Sequence, residues 1–93
     1  MVVTDALGIT IGSDDLCGLV VDDDPYISKV HAKVFVRDGR LVIEDQGSTN
    51  GTWINGVKVW VHVLDAGADV VRLGHTEWTV TELIDAIRAR FHD

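Results

Sequence analysis

One cysteine, one proline and one methionine in 93 residues are the first limits on what this chain can be. Cys17 has no partner for an internal disulfide, so the core must hold by packing alone, and such cysteine usage fits a reducing, cytoplasmic setting. Acidic Asp14 and Asp15 nearby disfavour a reactive thiolate and point to Cys17 as a small core residue. The N-terminus lacks the basic, apolar and small-residue order of a signal peptide, and no apolar run is long enough to span a bilayer, so no membrane partner is expected. Basic residues are also scarce: eight Lys and Arg stand against fifteen Asp and Glu, a formal charge of −7. A partner held chiefly through its phosphate backbone needs a basic stripe, which excludes nucleic acid. A single phosphate remains possible where a few donors converge.

Metal and catalytic patterns are missing as well. No two of His31, His62, His75 and His92 stand at ligand spacing, and Asp22-Asp23-Asp24-Pro25 lacks the spacing and closing glutamate of a calcium loop. That acidic run reads as a solvated turn. No Gly-rich phosphate loop opens a helix and no nucleophile stands beside an evident base, so neither a cofactor nor an enzymatic activity is expected.

What the chain does have is a 46% hydrophobic content arranged in short alternating runs, enough for one small domain. Val2 and Val3 offer a short first strand, Ile9-Thr10-Ile11 a half-buried one, and residues 17–21 a short apolar one. Residues 31–37 alternate cleanly, with Ala32, Val34 and Val36 on one face, and Asp38-Gly39-Arg40 turns them back into Leu41-Val42-Ile43-Glu44. Further strands are expected at residues 52–54, 57–61, 62–64, 69–73 and 77–80, with turns between. The period then changes: Leu83, Ile84, Ile87 and Phe91 fall at helical spacing, with Glu82 and Asp85 early and Arg88 and Arg90 late. The expected fold is an all-β antiparallel sandwich over residues 1–80, with a short C-terminal α-helix over 81–93 packed on the same domain.

The densest turn chemistry lies in Ser48-Thr49-Asn50-Gly51-Thr52-Trp53-Ile54-Asn55-Gly56. Three short polar side chains precede a glycine, a β-branched and aromatic strand follows, and Asn-Gly closes it as a hairpin signal. Together with Gly12, with Ser28-Lys29-Val30-His31, with Asp45-Gln46-Gly47 before the block and with the stretch from Leu64 to Leu73-Gly74, it resembles a forkhead-associated (FHA) domain from about Ile9 to Val80. The ordered combination of Ser-x-x-His with Ser-x-Asn-Gly-Thr-x-x-Asn-Gly is specific, although neither half is so alone.

The resemblance implies a β-sandwich whose loops at one end bind a phosphothreonine in an extended partner segment. It implies that Ser28 donates its hydroxyl to the phosphate, that Lys29 adds a contact, that Asn50 holds the partner's main chain, and that Thr49 lines the cleft. Gly12, His31, Gly51, Asn55 and Gly56 read as architecture. Ser13 is a departure, because the family pattern has arginine directly after the first glycine. Losing that charge-assisted hydrogen bond, worth about 1.5–3 kcal/mol, lowers phosphate affinity roughly ten- to a hundredfold. Asp14 and Asp15 in the same loop repel a phosphate further. A phosphate-independent docking or oligomerisation scaffold is therefore the alternative. Only eleven residues precede Gly12, fewer than the family usually carries, which implies an open sheet edge and self-association unless the C-terminal helix covers it.

Overall fold

Strands form where apolar and polar residues alternate, and they stop where glycine or asparagine takes a left-handed backbone. The computed structural model describes residues 8–91. Among these residues nine strands precede one helix: β1 (Ile9–Gly12), β2 (Leu19–Val20), β3 (Ala32–Arg37), β4 (Arg40–Asp45), β5 (Thr52–Ile54), β6 (Val57–Val59), β7 (Val61–Val63), β8 (Val70–Leu73), β9 (Thr76–Thr79) and α1 (Val80–Phe91). They build a five-stranded sheet in the order β2-β1-β3-β4-β7 and a four-stranded sheet in the order β6-β5-β8-β9. The strand expected at Val2 and Val3 lies outside the described residues.

Two hairpins follow directly from their dipeptides. Asp38 and Gly39 (φ 53° and 75°) join β3 to β4, and Asn55 and Gly56 (φ 52° and 82°) join β5 to β6. Consecutive positive φ values match the right-handed twist of the flanking strands, which is why Asp-Gly and Asn-Gly serve here. Asn55 does more than turn. Its Oδ1 accepts from the Val70 N–H at 2.9 Å and its Nδ2 donates to Asp69 at 2.8 Å, fastening the hairpin to the start of β8.

The sandwich departs from the expected all-antiparallel pairing at one place. β2 runs parallel to β1, with Ile11 opposite Leu19 and Gly12 opposite Val20. The Gly18 N–H donates to the Thr10 hydroxyl at 3.2 Å, drawing the chain back beside β1 so that it runs forward a second time. Only Leu19 and Val20 pair there, so the strand expected over 17–21 is shorter than its apolar run. The strand expected over 57–61 is likewise broken. At Trp60 the chain crosses from the four-stranded sheet to the five-stranded one, and the Trp60 carbonyl accepts from the Asp45 N–H at 2.8 Å.

Between the sheets lie Ile11, Val34, Ile43, Ile54, Val71 and Leu73, each at most 3% exposed. The helix closes the end of this core with Val80 and Leu83 and packs against β9 and β2. Its start is fixed by a reciprocal cap: the Glu82 N–H donates to Thr79 Oγ1 at 3.1 Å, and the Thr79 N–H donates to Glu82 Oε1 at 2.9 Å. At the opposite margin, Val57, Trp60, Val61 and Val63 on β6, on β7 and between them are exposed. Among the described residues no helix is long and apolar enough to cross a membrane.

Gly12 sets how closely two loops approach. A Cβ there would stand 2.0 Å from the Lys29 carbonyl oxygen, a backbone atom that cannot swing away. Gly12→Ala is expected to destabilise the domain by about 3 kcal/mol or more, whereas Gly39→Ala, with open space but a positive φ, costs about 1 kcal/mol. Urea unfolding of both variants checks this, and equal midpoints would contradict it.

Candidate functional site

At one end of the sandwich three loops meet: residues 13–18 after β1, 21–31 before β3 and 46–51 before β5. The first two are zipped by backbone. The Ser13 N–H donates to the Ser28 carbonyl at 3.0 Å, and the Asp14 N–H and the Cys17 thiol donate to the Lys29 carbonyl at 3.2 Å each. The second and third are joined through His31, which is 0% exposed. Its Nδ1 accepts from the Ser28 N–H at 3.1 Å, so the ring proton resides on Nε2 and is donated to the Gly51 carbonyl at 2.9 Å. Ser28 Oγ in turn accepts from the Thr49 N–H at 3.1 Å. The architectural role expected of His31 and Gly51 is thus a direct hydrogen-bond bridge, with Gly51 at φ 89°.

The third loop is wound around a buried carboxylate. Asp45 accepts from the N–H groups of Gly47 and Ser48, and from the hydroxyls of Ser48 and Thr52. Ser48 Oγ also accepts from the Gly51 N–H at 2.9 Å. Burial pushes the Asp45 carboxyl up, but its hydrogen bonds from Ser48, Thr52 and Gly47 together outweigh that and hold it below the ordinary aspartate value.

A fourth segment, the β8–β9 turn at Gly74-His75, is fastened to the second loop by Asp24. The expectation that residues 22–25 form a solvated turn fails at this residue, which is 7% exposed. Asp24 accepts from the Tyr26 N–H at 2.9 Å, the His75 N–H at 2.7 Å and the Thr76 hydroxyl at 2.7 Å. Its carboxyl is held low first by the Thr76 hydroxyl, against the opposing effect of burial, with the two backbone N–H groups adding to it. Asp22 and Asp23 do remain exposed. Asp69 is a third such staple, held low by the Asp65 N–H and then by His62 at 2.9 Å.

Ser13, Ser28, Lys29, Thr49 and Asn50 are brought together by this bracing. Lys29, Thr49 and Asn50 are exposed, and Ser13 and Ser28 are half-buried. Ser28 Oγ has spent one acceptor position, and its own proton is not directed to any protein atom among the described residues. Asn50 Nδ2 donates to the Tyr26 carbonyl at 2.9 Å, a contact within the chain that leaves its second amide proton and its Oδ1 uncommitted among the described residues. The Asp14 carboxylate accepts from the Leu16 N–H at 2.8 Å, capping its own loop. Tyr26 and His75 stack with centroids 4.2 Å apart, and Arg72 lies over the Trp53 ring. Nothing local in sequence marks these four, since their partners are distant along the chain.

A two-sheet sandwich whose loops are cross-braced by the buried histidine of a Ser-x-x-His and by a polar block before an Asn-Gly hairpin defines a loop-presenting interaction domain. The chain belongs to the FHA domain family, whose pattern matches residues 9–74. It is 40% identical over 68 residues to the FHA domain-containing protein FhaB of Mycobacterium tuberculosis, covering 73% of this chain and 43% of that protein. The chain therefore corresponds to less than half the length of that relative. Among solved structures it is similar to the N-terminal FHA domain of S. cerevisiae Rad53p in complex with a phosphothreonine peptide, with TM-score 0.63, 33% identity and coverage of 71% and 55%. It is also similar to the FhaA FHA domain complexed with the intracellular domain of another protein, with TM-score 0.69, 31% identity and 75% coverage of each chain.

Because Asp24, Asp45 and Asp69 all have folded-state values below their unfolded ones, each stabilises the fold above about pH 4, and that contribution is lost as pH falls through the folded value. Thermal stability is expected to be level through neutral pH and to fall steeply below about pH 4. Asp45→Asn should lower the neutral-pH stability and flatten the acid limb. An acid limb of unchanged slope in that variant would contradict the assignment.

Proposed function

We propose that this domain is a non-catalytic docking module that recognises phosphothreonine-containing segments of partner proteins. The observation that carries the reading is Ser28, its backbone N–H held by His31 and its hydroxyl accepting from the Thr49 N–H with its own proton unspent, beside exposed Lys29 and half-committed Asn50. Ser28 donates to a phosphate oxygen and Lys29 adds a mobile cation. Ser13, in the loop hydrogen-bonded to the Ser28 backbone, lies on the side where the family's arginine would act. Asn50 meets the partner's main chain with the amide proton and carbonyl it has left, and Thr49 borders the cleft that receives the threonine methyl. Because these groups sit on loops braced by His31, Asp45 and Asp24, little ordering is required on binding.

The phosphate carries about −1.5 to −2 charges, and with Ser13 in place of arginine one strong donor is missing. Affinity is therefore lower than a complete arginine-serine-asparagine set would give. The resemblance to phosphothreonine-bound Rad53p and to partner-bound FhaA domains supports the reading.

Fluorescence anisotropy with matched phosphothreonine and threonine peptides tests it. Binding is expected only with the phosphate. Ser28→Ala and Asn50→Ala should each weaken it at least about tenfold while lowering stability by no more than about 1 kcal/mol, and Ser13→Arg should strengthen it about ten- to a hundredfold. Equal affinity of the alanine variants and the parent would overturn the assignment. Equal affinity for both peptides would favour a phosphate-independent scaffold on the same fold.

A further inference from the structure

We propose that the open edge of β7 is a contact surface for a second copy of this chain, through which two domains join antiparallel into one continuous sheet. The inference is independent of what the site loops bind. β7 ends the five-stranded sheet, with β4 on one side and no strand among the described residues on the other. The Asp45 N–H donates to the Trp60 carbonyl and the Leu64 N–H to the Leu41 carbonyl, each at 2.8 Å. The residues in and beside β7 that turn their backbone to β4 are therefore Trp60, His62 and Leu64. Val61 and Val63 turn their N–H and C=O groups the other way, where they meet no donor or acceptor among the described residues.

Such edges are ordinarily blunted by charge, brevity or cover. The remaining edge strands follow that rule: β2 pairs over two residues and packs against α1, β6 carries Lys58, and β9 carries Glu77 and meets α1. β7 does not. It has no ionisable side chain except His62, whose ring is held to Asp69 at 2.9 Å. The side chains of Val61 and Val63 are 56% and 48% exposed, and Trp60 beside them is 68% exposed.

A two-fold pairing centred on His62 sets Val61 opposite Val63 of the second copy and brings their edge-facing backbone groups together as hydrogen-bonded pairs. The side chains agree with this register. Phe35, Val42 and Val63 form one row across β3, β4 and β7 on the outer face of the sheet. Lys33 and Arg37 lie over the Phe35 ring, closing the far end of the row with charge, while its β7 end is bare. Val61 of the second copy continues the row there, and the two-fold repeats the contact. Charge agrees as well. Lys58 precedes the strand and Asp65 follows it, so antiparallel pairing sets each copy's Lys58 near the other's Asp65, whereas parallel pairing would set like against like. A seam this short buries less than the about 1,200 Å² of a stable interface, so the dimer is weak, with a Kd of about 0.1–1 mM. The reversal leaves the two sets of site loops uncovered at opposite ends of the joined sheet.

Sedimentation velocity of the full chain from about 10 μM to 1 mM tests the proposal, because a dimer of that strength populates within this range. The average mass is expected to rise with concentration towards twice that of the monomer. Val61→Lys and Val63→Lys should each weaken association at least about tenfold while two-dimensional NMR shows the fold intact. Lys58→Glu should weaken it about fivefold, and adding Asp65→Lys should restore it. Should the Asp65 variant disturb its own turn, the two valine variants still read the seam. A monomer throughout, which leaves the edge to a different partner, would overturn the inference, as would a dimer that both valine variants leave unchanged.

Discussion

The imidazole of His31 holds the working end of this domain together. It accepts from the Ser28 N–H on one side and donates to the Gly51 carbonyl on the other, with no exposure to water. Two loops twenty residues apart are thereby fixed at one spacing. Each of the two backbone groups, left unpaired in the interior, would cost about 1–3 kcal/mol, so the bridge is maintained whenever the core is formed. The rest of the corner depends on it: Ser28 is aimed because its backbone is held, and Thr49 is held because Ser28 accepts from it. Gly12 adds the third loop by letting its backbone lie against the Lys29 carbonyl.

Around that bridge the acidic residues do a job that net charge conceals. Asp24, Asp45 and Asp69 are buried and act as acceptors for clustered N–H and hydroxyl groups, each organising a loop. Their charge is directed into the structure. Asp14 likewise turns to its own Leu16 N–H. An acidic chain can in this way present a phosphate-binding corner, since what matters to the ligand is which groups face it. On the proposed reading, Ser13 at the family's arginine position is the main electrostatic deficit, and Lys29 is the exposed cation beside the corner.

Much of the fold was legible in the sequence because its signals are local. Asp38-Gly39 and Asn55-Gly56 turn where their dipeptides say, Ala32 and Val34 face the core as read while Val36 at the end of the strand is only half-buried, and Leu83 anchors a helix of the expected period. The site loops were legible through an ordered resemblance and not through any single residue. What escaped the reading is non-local. Asp24 looks like the middle of a solvated acidic run until the β8–β9 turn, some fifty residues on, supplies its donors. The break at Trp60 is invisible in a continuous apolar run, because only the presence of two sheets requires the chain to cross there. The parallel start of β2 depends on the Thr10 hydroxyl catching Gly18, and the juxtaposition of Tyr26, Trp53, Arg72 and His75 depends on three separate connections.

On the proposed reading, three loops, two of them bridged by His31 and the other held against them at Gly12, form one phosphate-binding corner. Two-dimensional NMR of the free chain titrated with a phosphothreonine peptide tests it most directly, through the backbone amides of Ser13, Ser28, Lys29, Thr49 and Asn50. Saturable shifts concentrated on those amides are expected, absent with the unphosphorylated peptide, while the β3 and β4 amides stay in place. Phosphate-dependent shifts centred elsewhere, for instance on the exposed margin of β6 and β7, would contradict it.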